Sequence, residues 1–257
     1  RPGHSDYAAY VKYHGFNDVR GGGHFSGRIT APIVFAGSIA KQILKQKGIR
    51  IGAHIQSIKD VQDQSFETNI SDELLDRLSL QEYPVIDTTV FESMQDIVNQ
   101  ARSQGNSVGG SVECVIQHIP AGIGQPFFQS LESTIASLMF SIPAVKGIEF
   151  GDGFDLCTML GSEANDEYYY DQDKVKTKTN HNGGILGGIS NGMPITFKVA
   201  FKPTPSIALK QDTINVKTKE NTTLEITGRH DPCIVFRAVV VVESMAALAL
   251  LEAMGGK

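Results

Sequence analysis

Four stretches of this chain concentrate glycine, mostly beside His, Arg or Asp: Arg1-Pro2-Gly3-His4, residues 21–28, residues 183–192, and Gly228-Arg229-His230-Asp231-Pro232. A fifth, Lys202-Pro203-Thr204-Pro205-Ser206, sets a lysine and two hydroxyls on a stiff backbone. Glycine lets a backbone approach a ligand closely, and a Gly-rich loop entering a helix N-terminus offers free N–H groups and a positive dipole end to an anion. Residues 21–28 have that form, with Ser26 as a donor and Arg28 as a fork for carboxylate or phosphate. A turn followed by a helix cap explains one such stretch equally well; several of them, carrying cations in an acidic chain, favour an anion site.

Of the seven histidines, His4, His24 and His230 stand in Gly/Arg contexts where a near-neutral pKa suits proton transfer. His14, His54, His118 and His181 lack such neighbours and read as structural or exposed. Asp231 is either an acid/base group beside them or an Asp-Pro turn former. Gly188-Ile189-Ser190-Asn191-Gly192 matches the Gly-x-Ser-x-Gly nucleophile elbow, but an elbow leads into a helix and Met193-Pro194 leads into a strand-like run, which reads against a nucleophilic Ser190. Dinucleotide-fold glycine spacing, a Walker loop and a His-Glu-x-x-His helix are all missing, and no metal ligand set is read.

These residues need elements to hold them. Apolar periodicity predicts a helix over 28–47, with Phe35, Ile39 and Ile43 as a stripe that Ile29, Ile33, Ala36 and Ala40 extend, and an apolar, buried first half. Further helices are expected over 89–101, 127–139 and 234–254, and strands over 51–58, 108–119, 195–201 and 223–227. Two helices apolar on most sides imply a helical layer covered on more than one face. Residues 163–181 read as a long polar loop, and no repeat or linker divides the chain, so 1–257 is taken as one domain.

The 257 residues carry 23 basic and 28 acidic side chains, net −5, with 41% hydrophobic residues. That is an ordinary globular composition, and it argues against nucleic acid as a partner. Cys114, Cys157 and Cys233 are too few and too widely spaced for a disulfide framework. No run reaches the roughly 18 apolar residues of a membrane helix, so a soluble, cytoplasmic protein with no membrane partner is expected. The first residue is Arg1, which sets the expectation of a fragment or processed product.

Taken together, Arg1-Pro2-Gly3-His4-Ser5-Asp6-Tyr7, residues 21–28 with Thr30-Ala31, residues 183–192, Lys202-Pro203-Thr204-Pro205-Ser206, and Gly228-Arg229-His230-Asp231-Pro232-Cys233 followed by Arg237-Ala238 resemble the signatures of the chorismate synthase family. The resemblance implies an α+β fold, a β-α-β sandwich with a helical layer between antiparallel sheets, and a homotetramer. It implies a lyase that eliminates phosphate and a ring proton from 5-enolpyruvylshikimate 3-phosphate to give chorismate. Reduced FMN is required without net redox change; NADP is a further cofactor associated with the family, with no residue here assigned to it. By resemblance, His4 matches the histidine that protonates reduced flavin and Asp231 the aspartate that helps deprotonate it. His24, Phe25 and Ser26 match a flavin-binding triplet that in many members starts with Arg. Pro143, Ala144, Gly187, Lys202, Pro203, Thr204, Pro205, Ser206 and Arg229 match further FMN positions, and Ser26 and Arg28 substrate positions. The family's N-terminal Gly-Glu-Ser-His segment does not appear, so an impaired enzyme is expected from this chain alone, or else a non-catalytic flavin- or anion-binding, or oligomeric, remnant.

Overall fold

A computed structural model describes residues 1–228 and 230–255. In chain order its elements are α1 (Asp6–Lys12), α2 (Ala31–Gln46), β1 (Arg50–Ile58), β2 (Val61–Gln62), α3 (Asp72–Leu80), α4 (Val90–Ser103), β3 (Gly110–Gln117), α5 (Leu131–Ser141) and β4 (Val145–Phe150). There follow α6 (Gly161–Ala164), β5 (Tyr168–Asp171), β6 (Lys174–Thr177), β7 (Ile185–Leu186), β8 (Ile189–Ser190), β9 (Ile195–Phe201), β10 (Gln211–Asn215), β11 (Glu220–Leu224) and α7 (Val235–Gly255). The main sheet runs β2-β1-β3-β9-β4 with every neighbouring pair antiparallel, and β5-β6, β7-β8 and β10-β11 form separate hairpins. The fold class is α+β, as the sequence implies.

Side chains alternate across a strand. One face therefore takes Ala53 and Ile55 of β1, Val112 and Cys114 of β3, and Phe197 and Val199 of β9 into a common core with α2, α5 and α7. The other face takes Leu75 and Leu78 of α3 against Val115. Among the described residues, α7 is the helix long and apolar enough to cross a membrane, but Val242, Ala246 and Leu250 are fully buried and it is the central helix of the core. Glu243 ties the layers together: its carboxylate accepts from Ala53 N of β1 (2.9 Å) and pairs with Lys41 of α2.

The expected stripe on α2 divides: Ala40 is buried and Ile33 packs on the core, but its three largest members face outward. Phe35, Ile39 and Ile43 are 71%, 47% and 40% exposed, while Gly37, Ala40 and Leu44 are buried against α7. A helix apolar on most sides does not announce its packing face; the small residues decide it, because they let two helix axes come close. Gly37 has no room for a side chain: a Cβ there would lie 2.5 Å from Ser244 Cα and 2.7 Å from its Oγ.

Other departures have local causes. The helix expected from 127 begins at Leu131, because Phe127 adopts φ 59° and Ser130 caps the helix by accepting from Ser133 N (3.0 Å). The strand expected over 223–227 is instead β11, ending at Leu224 and paired with β10. Residues 163–181 form α6 and the hairpin β5-β6 rather than a loop. Lys176 pairs with Asp171 (2.6 Å) and Lys178 with Glu167, while buried Asp166 accepts from Thr179 Oγ1 (2.7 Å) and His181 N (2.8 Å). Cross-strand charge pairs leave no apolar alternation to read.

On the α3 face of the sheet a polar triad is sealed from water. His54 Nδ1 lies 3.0 Å from Asp63 Oδ2 and Nε2 lies 2.9 Å from Glu113 Oε2, with both side chains of the first pair fully buried. Both ring nitrogens can donate only if the imidazole is protonated. Burial favours the neutral ring, but the hydrogen bonds to Asp63 and then Glu113 outweigh it and raise the His54 pKa above 6.5.

Two stability predictions follow from this packing. Gly37→Ala, which in an open helix would stabilise by about 1 kcal/mol, is expected to destabilise by roughly 1–3 kcal/mol in urea unfolding, since the added methyl has nowhere to go. The folded state holds the His54 proton to higher pH than the unfolded chain, so this contribution is complete below pH 6.5 and is lost as pH rises through the folded-state pKa. His54→Gln is expected to cost roughly 3–5 kcal/mol by stranding two buried carboxylates, and to remove that alkaline decline from the stability–pH curve.

Candidate active site

Four of the five stretches singled out in the sequence converge on one cavity of about 990 Å³; residues 183–192 do not reach it. The sheet brings them there. Phe201, the last residue of β9, pairs with Val145, the first of β4, so the chain leaving β9 runs beside Pro143 and Ala144; Lys202 N donates to Ala144 O (3.0 Å). Ala144 holds φ 73°, an uncommon left-handed conformation for a residue with a Cβ. Lys202 Nζ donates to Gly3 O, Ser206 Oγ accepts from Arg1 (3.3 Å), and Thr204 Oγ1 donates to Asp231 O (2.8 Å). Thus the Lys202–Ser206 run, stiffened by two prolines, pins the N-terminal stretch on one side and the approach to α7 on the other. Pro203 turns toward Gly109 and is not part of the lining.

The turn before α2 supplies the opposite wall. Gly23 at φ 51° would put a Cβ 2.8 Å from Asp18 O, so that position accepts glycine alone without rearrangement. Arg28 folds back, donating from Nε to Ser26 Oγ (3.0 Å) and from its terminal nitrogen to Gly21 O. It has no carboxylate partner among the described residues. His24 stands between the rings of Tyr13 and Phe25, and both His24 and Phe25 line the cavity.

His4 is oriented by a carboxylate. Its Nδ1 lies 2.7 Å from Asp6 Oδ1 and 3.2 Å from Arg1. One nitrogen cannot serve both, and the shorter contact makes Nδ1–H the donor to Asp6. Nε2 is left to the cavity side, beside the bare backbone of Gly22. Burial, followed by the Arg1 charge, lowers the His4 pKa against the opposing pull of Asp6. Asp6 is itself held well below the usual carboxylate range: burial works the other way, but the hydrogen bond from Arg1 and the His4 charge prevail.

Asp231 Oδ1 accepts from Cys233 N (3.3 Å) and Oδ2 pairs with Arg237, one turn into α7. Arg237 is its cationic partner among the described residues; Arg229 lies outside them. His230 lines the cavity with a buried Nε2 that has no hydrogen-bond partner among the described residues. Among the described lining residues, Arg1, Arg28, Lys146, Lys202 and Arg237 are cationic and Asp231 is the one carboxylate. The starts of both α2 and α7 open on the same space. Such a site is built for a ligand with several negative charges.

A family model described as chorismate synthase matches residues 1–254. The chain belongs to the chorismate synthase family. It is 46% identical to the chorismate synthase of Dehalococcoides mccartyi over 252 residues, 98% of this chain and 68% of that one. It is 47% identical to that of Thermococcus kodakarensis, covering 98% and 69% respectively. A crystal structure of a chorismate synthase superimposes with a TM-score of 0.79 at 28% identity, over 97% of this chain and 70% of the other.

All the chorismate synthase signatures except residues 183–192 are brought to one place by the fold. His4, His24, Phe25, Ser26, Arg28, Pro143, Ala144, Lys202, Thr204, Pro205, Ser206 and Asp231 all line the cavity. Gly187 does not: it stands at the turn of the β7-β8 hairpin with φ 60°, away from the lining. Ser190 next to it is 3% exposed, accepting from Ile123 N (3.0 Å) and donating to Pro120 O (2.7 Å), a structural pin rather than a nucleophile. Sequence reasoning gave no role to Asp6 or Arg237, although both fall inside the quoted signatures; each acts on a neighbour it reaches only in the folded chain.

Asp6→Asn removes the influences that raise the His4 pKa and leaves Arg1 uncompensated. The His4 ring resonance in an NMR pH titration is expected to move to lower pH, with the fold kept.

Proposed function

We propose that this protein is a carbon–oxygen lyase that converts 5-enolpyruvylshikimate 3-phosphate to chorismate with reduced FMN, and that the 990 Å³ cavity is where this chain holds both. The observation that carries the reading is the charge arrangement: Arg28 and Lys202 reach the cavity with no carboxylate partner among the described residues, in a chain of net charge −5. A substrate with a phosphate and two carboxylates, and a cofactor with its own phosphate, need that excess of donors.

The residues present fit FMN. The volume lies within the range of cofactor pockets, the His230 Nε2 is a buried polar atom awaiting a partner, and the Ala144 backbone is held in a strained conformation at the wall. His24, Phe25, Ser26, Pro143, Ala144 and the Lys202–Ser206 run would hold it, with Arg229 assigned by resemblance. Reduced FMN, when bound, supplies reversible electron donation without net redox change. The protein's own part is proton management and charge. His4 presents Nε2 with Nδ1 fixed on Asp6, and its lowered pKa makes the cation a stronger acid, suited to delivering a proton. Asp231, ion-paired with Arg237, offers a carboxylate that can take one up. Arg28, with Ser26 on its Nε, is the anchor for the substrate's anionic groups.

The homotetramer is part of the proposal, supported by the outward row of Phe35, Ile39 and Ile43, an apolar face of the kind that assembly covers. A cytoplasmic location is carried from the reading of composition and cysteines, and NADP from the resemblance, with no residue here assigned to it.

Steady-state assays test the reading. Chorismate is expected to form only with reduced FMN, and equal turnover without flavin would overturn it. His4→Ala and Asp231→Asn are each expected to lower kcat by about 10² to 10⁴ at saturating FMN and substrate. Arg28→Ala is expected to raise KM and be partly rescued by more substrate. Rescue of Asp231→Asn by ligand would reduce Asp231 to a turn or binding residue.

A further inference from the structure

Among the described residues, two that line the cavity carry a buried polar atom with no hydrogen-bond partner: Ser5, through Oγ, and His230, through Nε2. The two are not equivalent. A hydroxyl rotates to whatever acceptor is near, whereas an imidazole nitrogen goes only where the ring goes. No described residue hydrogen-bonds the His230 ring. The backbone beneath it is nonetheless well tied: Thr204 Oγ1 donates to Asp231 O (2.8 Å) and Val108 N donates to Pro232 O (2.8 Å). The ring itself rests along Gly228, where an added Cβ would lie 3.8 Å from its Cε1 and 3.9 Å from Nε2, a packing contact and nothing stronger.

A buried polar atom left unpaired lowers the stability of a folded protein, and an apolar side chain of similar size avoids that loss. We infer that His230 is a ligand of the cofactor, its Nε2 forming a hydrogen bond with FMN once the ring is drawn off Gly228 into the cavity. The inference rests on the reading of this cavity as the FMN site. Position favours the cofactor over the substrate: His230 precedes Asp231, which Thr204 of the FMN-holding run grips, whereas Arg28, the substrate anchor, belongs to the opposite wall. The chemistry agrees. Nε2 is a donor in one neutral tautomer and an acceptor in the other, and an isoalloxazine carries both carbonyl acceptors and an N–H donor, so either form is met. The substrate's phosphate and carboxylates are acceptors only, and cations already face them.

The test sets stability against binding. Reduced FMN is titrated anaerobically into the full chain by calorimetry, without substrate, and thermal unfolding is followed in the absence of flavin. His230→Leu removes the unpaired nitrogen and keeps the bulk. It is expected to melt at the temperature of the parent or above it, yet to bind reduced FMN roughly tenfold more weakly. His230→Gln, whose amide offers a donor and an acceptor at similar reach, is expected to recover most of that affinity. The His230 ring resonances of the parent are expected to shift on adding FMN. Unchanged FMN affinity in His230→Leu, an affinity in His230→Gln no better than in His230→Leu, or an effect confined to the KM of the substrate would overturn the assignment while the FMN reading stands. If His230→Leu melts lower, His230→Gln decides. Failure of the parent chain to bind reduced FMN would overturn that reading and this inference together.

Discussion

The contact between Gly37 and Ser244 is the constraint on which the rest of this structure depends. Because α2 carries no side chain at 37, its backbone lies directly on α7, and the two long apolar helices become one unit. Glu243, one residue before the contact, then reaches both Lys41 and the backbone of β1, which fixes that unit on the sheet. The openings of both helices consequently face the same space, where the 21–28 turn meets the approach to α7. A bulkier residue at 37 would separate them and widen the cavity that the two N-terminal ends enclose.

The sheet contributes a second constraint, through where it stops. Antiparallel pairing of β9 with β4 ends at Phe201 and Val145, and the chain emerges from both strands at one edge. Lys202 to Ser206 can then bond to residues from opposite ends of the sequence, Arg1 and Gly3 on one side and Asp231 on the other. Rigidity comes from the prolines and from hydrogen bonds to backbone carbonyls, which leaves the Lys202 charge without a carboxylate partner among the described residues. The polar groups of the site are in this way oriented by neutral partners and retain their charge for a ligand. Arg1 and Arg237 are the exceptions, neutralised by Asp6 and Asp231, and the use of Arg1 is to fix the carboxylate that orients His4.

The buried triad of His54, Asp63 and Glu113 shows a different use of charge. There both ring nitrogens and the carboxylate oxygens that face them are partnered inside the protein. Asp63 also accepts from the backbone of Asp87 (2.9 Å), and Glu113 from Phe66 N (2.8 Å), so the triad stitches the loops on the α3 face to the sheet. Cations without partners mark the site, whereas charges with every partner in place mark the scaffold.

The sequence by itself determined much of the site and the elements that hold it. The glycine and cation pattern of residues 1–4, 21–28, 202–206 and 228–232 named about half of the residues that line the cavity, because those residue types are demanded by local chemistry: φ above zero, close backbone approach, and donors for an anion. The long helices and the three central strands were equally legible, since burial on one or both faces imposes its period on the residues. Only the tertiary structure decided which face of α2 is inside, since an all-round apolar helix has no polar side to betray its orientation. It also decided that Asp231 pairs with Arg237, that Asp6 holds His4, that Gly187 stands apart from the cavity and that residues 163–181 form a hairpin. Those outcomes depend on partners distant in the chain or on charge pairs across strands, and neither leaves a periodic trace in the order of residues.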